Sequence, residues 1–454
     1  MQSNIILFLA YSLVAVVIIH GLPQKIKRYG LLIFNMFFYL LCDAKFFLLV
    51  LLGIGWSYVI GGRLIRKHNR GILILGIVPI VGMLSFFKYY NFFVPKGSLA
   101  LQLTMPLGIS YYSFKMLSFM MDSYKEPNKT NIKLLDYANY VAFFPQIICG
   151  PISRFQDIGK QLECMEKVSL EKVRIGIYYI VSGMFKKLVI ADRVGTYVDT
   201  IFHNYTNYPS LALWMGAFFF TIQIYCDFAG YSEIVTGICN LLGIDIIINF
   251  KYPYFSYSIK EFWNRWHISL SSWLRDYIYI PLGGNRKGKT RKVLNIVITF
   301  LVSGIWHGNT LSFVFWGLYH GVFNVITSVI MKNKSRWKYF VQILLNFAIV
   351  MFGWIFFKML TIKDAFEYIV YMFKNMNISF NSMIASIMPF TGDYSCVAYL
   401  LTVCIFIGVL FVIEVREFNG INSKSEKNFK MAIYILAIIF FGVFGKNSFL
   451  YANF

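Results

Sequence analysis

The chain has 454 residues, of which 58% are apolar, 19% aromatic and only 14% charged. A soluble globular chain is nearer half apolar and a quarter charged, so this composition excludes an ordinary soluble fold. The net charge of +22 comes from Lys and Arg gathered in short segments between apolar blocks, the pattern of cytoplasmic loops beside anionic lipid rather than of a nucleic-acid-binding module.

The apolar blocks are about 17 to 25 residues long, enough to cross a ~30 Å hydrocarbon core as helix, and the alternation of a membrane barrel is missing. The expected fold class is an all-α polytopic membrane protein. Segment 4–20 lacks a basic leader and a small-residue cleavage pattern, so it reads as the first spanning helix and not as a cleaved signal. Segments 29–42 and 46–62 follow. The basic runs Lys25, Lys27, Arg28 and Arg63, Arg66, Lys67, Arg70 flank them and put the N-terminus outside. Segment 71–93 returns outward. Segment 101–121 contains Pro106 and Gly108 and is expected to be broken or re-entrant. Pro145 and Gly150-Pro151 are expected to interrupt 134–150 near its end, a break tolerated at depth only under protein or around a water-filled cavity. Segments 173–191, 209–226 and 230–248 come next.

Residues 249–292 differ in character, with Lys251, Lys260, Glu261, Arg265, Arg275, Asp276, Arg286, Lys287, Lys289, Arg291 and Lys292. They are placed on the cytoplasmic side. Segments 293–309, 311–331 and 339–357 follow, with Lys332, Lys334, Arg336 and Lys338 between the last two. An amphipathic stretch at 363–376, an outer loop at 377–395 and segments 397–414 and 431–447 complete the chain. The sum is roughly 11 to 14 transmembrane or re-entrant helices, since broken segments are not countable by length. With no internal repeat and no long linker, one membrane domain over 1–454 is expected. The seven cysteines are odd in number, lack any C-x-x-C pair and lie mostly in apolar stretches; they read as small buried hydrophobes, and no metal site is expected. Asn128-Lys-Thr130 matches a glycosylation sequon but falls on the expected cytoplasmic side.

The residues able to carry chemistry are few. Ser258-Ile-Lys-Glu261 has the form of a capping box. Phe262, Trp263, Trp266, Leu270, Trp273, Leu274 and Tyr277 then recur near the helical period. This predicts one amphipathic helix at the inner interface, stopped by Pro281-Leu-Gly-Gly284. His267 falls on its inward face, as either a structural hydrogen-bonding residue or a catalyst. His307 lies in an apolar run with no other titratable group, 15 residues after Lys292. At ~1.5 Å per residue it stands about 22 Å from the inner interface. Gly304 and Gly308 beside it permit close helix approach or a local break. An imidazole at that depth is costly and suited to general-base work; His320 is a weaker candidate. Asp227 and Glu233 form a second intramembrane polar group, with Arg265 or Arg275 as the partner for Asp227 in a structural ion pair. Gly283 to Thr290 lacks the spacing of a phosphate loop.

Four motifs combine these residues: Pro106-Leu-Gly-Ile-Ser-Tyr-Tyr-Ser-Phe114; Phe144-Pro-Gln-Ile-Ile-Cys-Gly150-Pro151-Ile-Ser-Arg154-Phe155; Gln223-Ile-Tyr-Cys-Asp-Phe-Ala-Gly-Tyr-Ser232; and Phe262-Trp-Asn-Arg-Trp-His-Ile-Ser-Leu-Ser-Ser-Trp-Leu-Arg-Asp-Tyr277, continued by Trp306-His307-Gly308. Over about residues 100 to 321 they resemble the membrane-bound O-acyltransferase (MBOAT) family. The likeness is strongest to its bacterial alginate and peptidoglycan O-acetyltransferase branch, with the teichoic acid D-alanyl transferase as a cousin. The Ile280 to Arg286 tail looks like the acetyltransferase branch. Ala229 and Glu233 are mild departures from the family's usual serine and aspartate.

The resemblance implies a ring of tilted helices around a thin centre, with a funnel from outside and a narrow path from the cytoplasm. It implies that His307 is the catalytic histidine and His267 its second recurrent histidine. His267 would position the donor or polarise the thioester. Asp227, Arg265, Arg275, Trp306 and Asn285 are expected to bind substrate or support the site. Arg286, Lys287 and Lys289 are expected to attract donor phosphates. No bound cofactor is expected; the donor substrate is an acyl thioester, most simply acetyl-CoA. The acceptor is a hydroxyl of an extracytoplasmic polysaccharide or of a partner transferase. Membrane lipids are further partners, and a bacterial plasma membrane the location. The rival class, a transporter or flippase without acyl-transfer chemistry, predicts repeated halves that the sequence does not contain.

Overall fold

The computed structural model describes residues 5–93, 104–126, 132–331, 336–374, 376, 379–391, 395–421 and 423–444. The Asn128-Lys-Thr130 sequon, Lys332 and Lys334 and parts of the 377–395 loop lie outside them. The described residues form helices and connections, with no strand among them. Two compact units separate: residues up to 180 with 231–248, and 181–230 with 249–444.

The first unit contains α1 (Ile5–Gly21), α2 (Lys27–Asp43), α3 (Phe47–Arg66), α4 (Arg70–Phe93), α5 (Ile109–Lys125), α6 (Leu134–Val141), α7 (Phe144–Ile147) and α8 (Phe155–Cys164). Large apolar side chains on the early helices, such as Val17, Ile33 and Leu48, remain mostly exposed, as a lipid-facing surface requires. The broken segments follow from local chemistry. Gly108 adopts φ 66°, and a Cβ there would overlap the Ile147 carbonyl oxygen, so α5 starts at Ile109 after a left-handed residue. The 134–150 segment breaks earlier than Pro145 alone predicts, with α6 ending at Val141. Asn35 holds that break: its Oδ1 accepts the Phe144 N–H at 2.9 Å and its Nδ2 donates to Asn139 Oδ1 at 3.0 Å.

The unit boundary passes through α9 (Leu170–Met184) and α11 (Ser210–Leu241). The second unit also holds α10 (Asp192–His203), α12 (Ile259–Arg265), α13 (Ile268–Leu274), α14 (Gly288–His307), α15 (Leu311–Ile330), α16 (Arg336–Lys358), α17 (Ile362–Lys374), α18 (Phe380–Ile387), α19 (Cys396–Phe418) and α20 (Lys424–Phe441). Among the described residues six stretches are long and apolar enough to cross a membrane: Lys27–Arg66, Arg70–Phe93, Ser210–Leu241, Leu311–Ile330, Trp337–Lys358 and Cys396–Phe418. The protein is an all-α polytopic membrane protein. Other segments expected to cross are shorter, such as α1, or more polar, such as α14.

Three expectations about elements change. The 209–226 and 230–248 segments are one 32-residue helix, α11. Gly230 does not break it but serves close packing, since a Cβ there would stand 2.7 Å from the Gly183 carbonyl oxygen. Part of the 377–395 loop is helical, as α18 and the 3-10 turn Met388–Phe390. The amphipathic helix after Ser258 is two short helices, α12 and α13, bent at Trp266-His267.

Candidate active site

His307 is placed by two helices that approach through glycine. A Cβ on Gly304 would overlap the Phe313 carbonyl oxygen and stand 3.1 Å from the Gly317 Cα; one on Gly317 would overlap the Phe300 carbonyl oxygen. Only residues without side chains allow α14 and α15 this separation. α14 runs unbroken from Gly288 and ends at His307, with Gly308 extended beyond it. Both readings of the flanking glycines therefore hold: Gly304 serves close approach and Gly308 sits at the break.

The His307 ring is 1% exposed as a residue and packs among aromatic rings. Its centroid lies 4.5 Å from Trp306, 4.9 Å from Trp316 and 5.3 Å from Phe357, all edge-on. The cluster continues through Trp354, 5.4 Å from Phe357 and 5.0 Å from Trp266. His267, the next residue after Trp266, thus stands at the far side of the same aromatic cluster.

His267 is one of three described non-glycine residues with positive φ, at φ 43° and ψ 54°. Such a conformation is uncommon for a side chain with a Cβ and needs surrounding contacts to hold it. Asn249 supplies them. Its carbonyl oxygen accepts the Ile268 N–H at 3.0 Å. Its Oδ1 receives the Ser269 N–H at 3.1 Å and the Ser269 hydroxyl at 2.8 Å. The backbone donor identifies that atom as oxygen. His267 Nδ1, 3.2 Å from the same oxygen, therefore carries a proton and donates. Burial pushes this imidazole down to about 3, so at neutral pH it is uncharged and Nε2 bears the lone pair. That assignment disfavours hydrogen-bond polarisation of a thioester by His267 and suits it to accept a proton or a hydroxyl hydrogen bond. Asn249 has no motif or periodicity to mark it in the sequence.

Residues of α12, α13, α14 and α15 line a cavity of about 760 Å³, among them Trp263, Asn264, Ser271, Arg275, Tyr279, Asn285, Lys292 and Ser303. Lys260 also lines it. Ser303 is four residues before His307, one helical turn away. Asn285 accepts a hydrogen bond from the Tyr279 hydroxyl in the turn that precedes α14. Arg286, Lys287 and Lys289 are exposed and are not among the lining residues. The cations that do line the cavity are Arg275, one of the expected site residues, and Lys260 and Lys292, which the sequence did not single out for donor phosphates.

The expected partner of Asp227 is corrected. Lys187 Nζ is 2.5 Å from Asp227 Oδ1 and 2.8 Å from Asp192 Oδ1, all three side chains being buried. Arg265 instead pairs with Glu261 at 2.6 Å, one turn away on α12, and Arg275 with its neighbour Asp276 at 2.8 Å. Lys187 belongs to a π-helical segment, Phe185–Ala191, that hydropathy reads as ordinary apolar helix. Among the described residues no group of His, Cys, Asp or Glu is arranged to hold a metal ion.

Buried imidazoles among aromatic rings, and a cavity with cations in its lining, are the candidate chemical groups of this membrane protein. Residues 19–362 match the membrane-bound O-acyltransferase family model, and the chain belongs to that family. It is 35% identical over 352 residues to the probable alginate O-acetylase AlgI of Pseudomonas syringae pv. tomato, covering 74% of this chain and 68% of that protein. It is 30% identical to the peptidoglycan O-acetyltransferase of Helicobacter pylori, over 74% of this chain and 72% of that one. The teichoic acid D-alanyltransferase of Bacillus subtilis is also 30% identical, over 56% of this chain and 68% of its own. The protein is a membrane O-acyltransferase.

Proposed function

We propose that the enzyme moves an acetyl group from a cytoplasmic thioester, such as acetyl-CoA, to a hydroxyl on the outer side of a bacterial plasma membrane, with the N-terminus outside. The acceptor is an extracytoplasmic polysaccharide, or a partner transferase that carries the group onward. The observation that carries this reading is the cavity that α14 helps to line. Lys260, Arg275 and Lys292 line it together with Ser303, one turn from His307. Phosphates are attracted to the cations of its lining, with exposed Arg286, Lys287 and Lys289 adding long-range attraction. The thioester end then extends toward His307.

In this mechanism His307 removes the proton of the acceptor hydroxyl as its oxygen attacks the thioester carbonyl. The neutral imidazole of His267, with its lone pair on Nε2, accepts a hydrogen bond from a bound substrate at the other side of the aromatic cluster. Trp306 packs on the His307 ring and fixes its plane. Asp227 belongs to the buried ion cluster and acts as support. Acetyl is preferred to D-alanyl because the O-acetyltransferase relatives align over three quarters of this chain and the D-alanyltransferase over just above half.

The test is acyl transfer from labelled acetyl-CoA by the full-length protein in liposomes, with and without a candidate acceptor glycan, comparing wild type with His307→Ala. Transfer lost in the variant is the expected result. Equal transfer by the variant would end the general-base role. A correctly assembled wild type that transfers no acyl group, yet moves a solute, would favour transport.

A further inference from the structure

We propose that the indole N–H of Trp316 is the donor that receives the acyl carbonyl oxygen as it becomes an oxyanion beside His307. The proposal rests on the acyl-transfer reading above and adds the group that reading lacks.

Trp316, Trp354 and His320 are each fully buried. The indole nitrogens of Trp316 and Trp354 have no hydrogen-bond partner among the described residues. His320 has its tautomer fixed by a neighbour. The Trp263 indole N–H donates to His320 Nδ1 at 3.4 Å, so the ring proton is on Nε2, which likewise has no partner among the described residues. The three rings contact one another, with centroids 5.0 Å apart for Trp316 and His320, 6.0 Å for Trp316 and Trp354, and 6.1 Å for His320 and Trp354.

A buried donor without an acceptor costs about 1 to 3 kcal/mol, and native interiors hold few of them. Three in one cluster ask for an acceptor from outside the chain. Bulk alone does not explain them, because Phe313 and Phe357 in the same layer supply aromatic packing at no polar cost. The three donors are not equivalent. His320 Nε2 faces the backbone of α16, where a Cβ on Gly353 would stand 2.7 Å from it. Trp354 is linked to the His307 ring through Phe357. Trp316 meets the His307 ring directly, at 4.9 Å and 85°. Of the three it is the one whose ring contacts His307 directly.

The chemistry balances with an acyl thioester and an alcohol as the two reactants. His307 takes the hydroxyl proton, the alcohol oxygen bonds to the carbonyl carbon, and the carbonyl π pair moves onto oxygen, where the Trp316 N–H meets it. The oxyanion then collapses, the C–S bond breaks, and the thiolate leaves with the proton returned by the imidazolium. In a water-excluded aromatic cluster such a donor acts on the transition state far more than on the ground state.

The experiment replaces Trp316 by Phe, and separately by 3-benzothienylalanine, which keeps the bicyclic ring and lacks the N–H. Both are made in the full-length protein and assayed in liposomes with labelled acetyl-CoA. Expected for both is a kcat lowered about 100-fold with the donor KM little changed, the signature of an interaction made only in the transition state. Hydrolysis of the thioester without acceptor should fall by the same factor, because it passes through the same oxyanion. Wild-type kcat with benzothienylalanine would assign Trp316 to packing and overturn the proposal. So would a kcat loss seen in Trp306→Phe and not at Trp316. An inactive His307→Ala beside a fully active Trp316→Phe would defeat this proposal alone, leaving the acyl-transfer reading intact. A wild type without transfer would remove both.

Discussion

The second unit contains two buried polar regions that solve opposite problems. Around the π-helical segment Phe185–Ala191, charges are matched one against another. Lys187 sits between Asp227 and Asp192, Lys186 lies 3.6 Å from Glu414, Lys430 is 2.9 Å from Glu417, and the Tyr225 hydroxyl donates to Glu414 at 2.6 Å. Around the junction of α14, α15 and α16 there are rings, imidazoles and indole N–H groups, and the donors of Trp316 and Trp354 meet no acceptor among the described residues. A region whose charged groups find partners within the chain is complete without a ligand. A region that leaves donors to be satisfied from outside is the one in which the proposed chemistry is placed.

Four changes break or sharpen that contrast. The largest effect is expected for His307→Ala, a loss of about 1,000-fold in transfer rate as befits a general base, read from labelled-acetyl transfer per folded molecule. Its thermal unfolding should move far less than that of the ion-cluster variant. Lys187→Met should do the reverse. It leaves two buried carboxylates facing each other and costs about 3 to 5 kcal/mol of stability, read from unfolding in detergent, while the molecules that fold keep near wild-type turnover. Adding Asp227→Leu should recover part of the loss. Should Lys187→Met abolish turnover in folded molecules as completely as His307→Ala, the two regions are not separable.

Gly317→Ala comes next. Its new methyl would overlap the Phe300 carbonyl oxygen, forcing α14 and α15 apart at about 1 to 3 kcal/mol and lowering transfer. Gly408→Ala, with open space around it, is the matched control for both thermal unfolding and rate. The smallest effect concerns His267, whose folded-state pKa is pushed down to about 3 by burial. Well above pH 6.5 neither the folded nor the unfolded form of this residue is charged, and it adds no pH dependence. As pH falls from about 6.5 toward 3 the unfolded chain takes up the proton first, so stability declines by up to about 1.4 kcal/mol per pH unit. His267→Asn should flatten that slope, measured as the change in Tm between pH 7 and pH 5.

Membership of the acyltransferase family and the helical membrane fold were legible in the sequence, because apolar block lengths and motif residues are local properties. The geometry around the candidate residues was legible only in part. Gly304 and Gly308 announced a close approach or a break because they flank a histidine in an otherwise apolar run. Asn249 gave no such sign, since it acts 18 residues away through the Oδ1 contact with His267. Lys187 was hidden in a segment whose mean hydropathy is that of a spanning helix. The single helix expected after Ser258 failed for a different reason. Apolar spacing reports which side of a helix faces the core, and it continues in phase across a bend, so it is blind to one residue taking a left-handed turn.

That left-handed residue constrains what mutagenesis can reveal. At position 267 the backbone selects before the side chain does. Asn, Asp and Gly tolerate these torsions, whereas β-branched residues resist them. In a codon-randomised library most losing variants would therefore report a displaced chain rather than a missing imidazole. Asn is the informative substitute: it keeps the torsions and a polar side chain while deleting the ring. A screen that scores His267 by alanine or valine alone would be reading conformation under the name of chemistry.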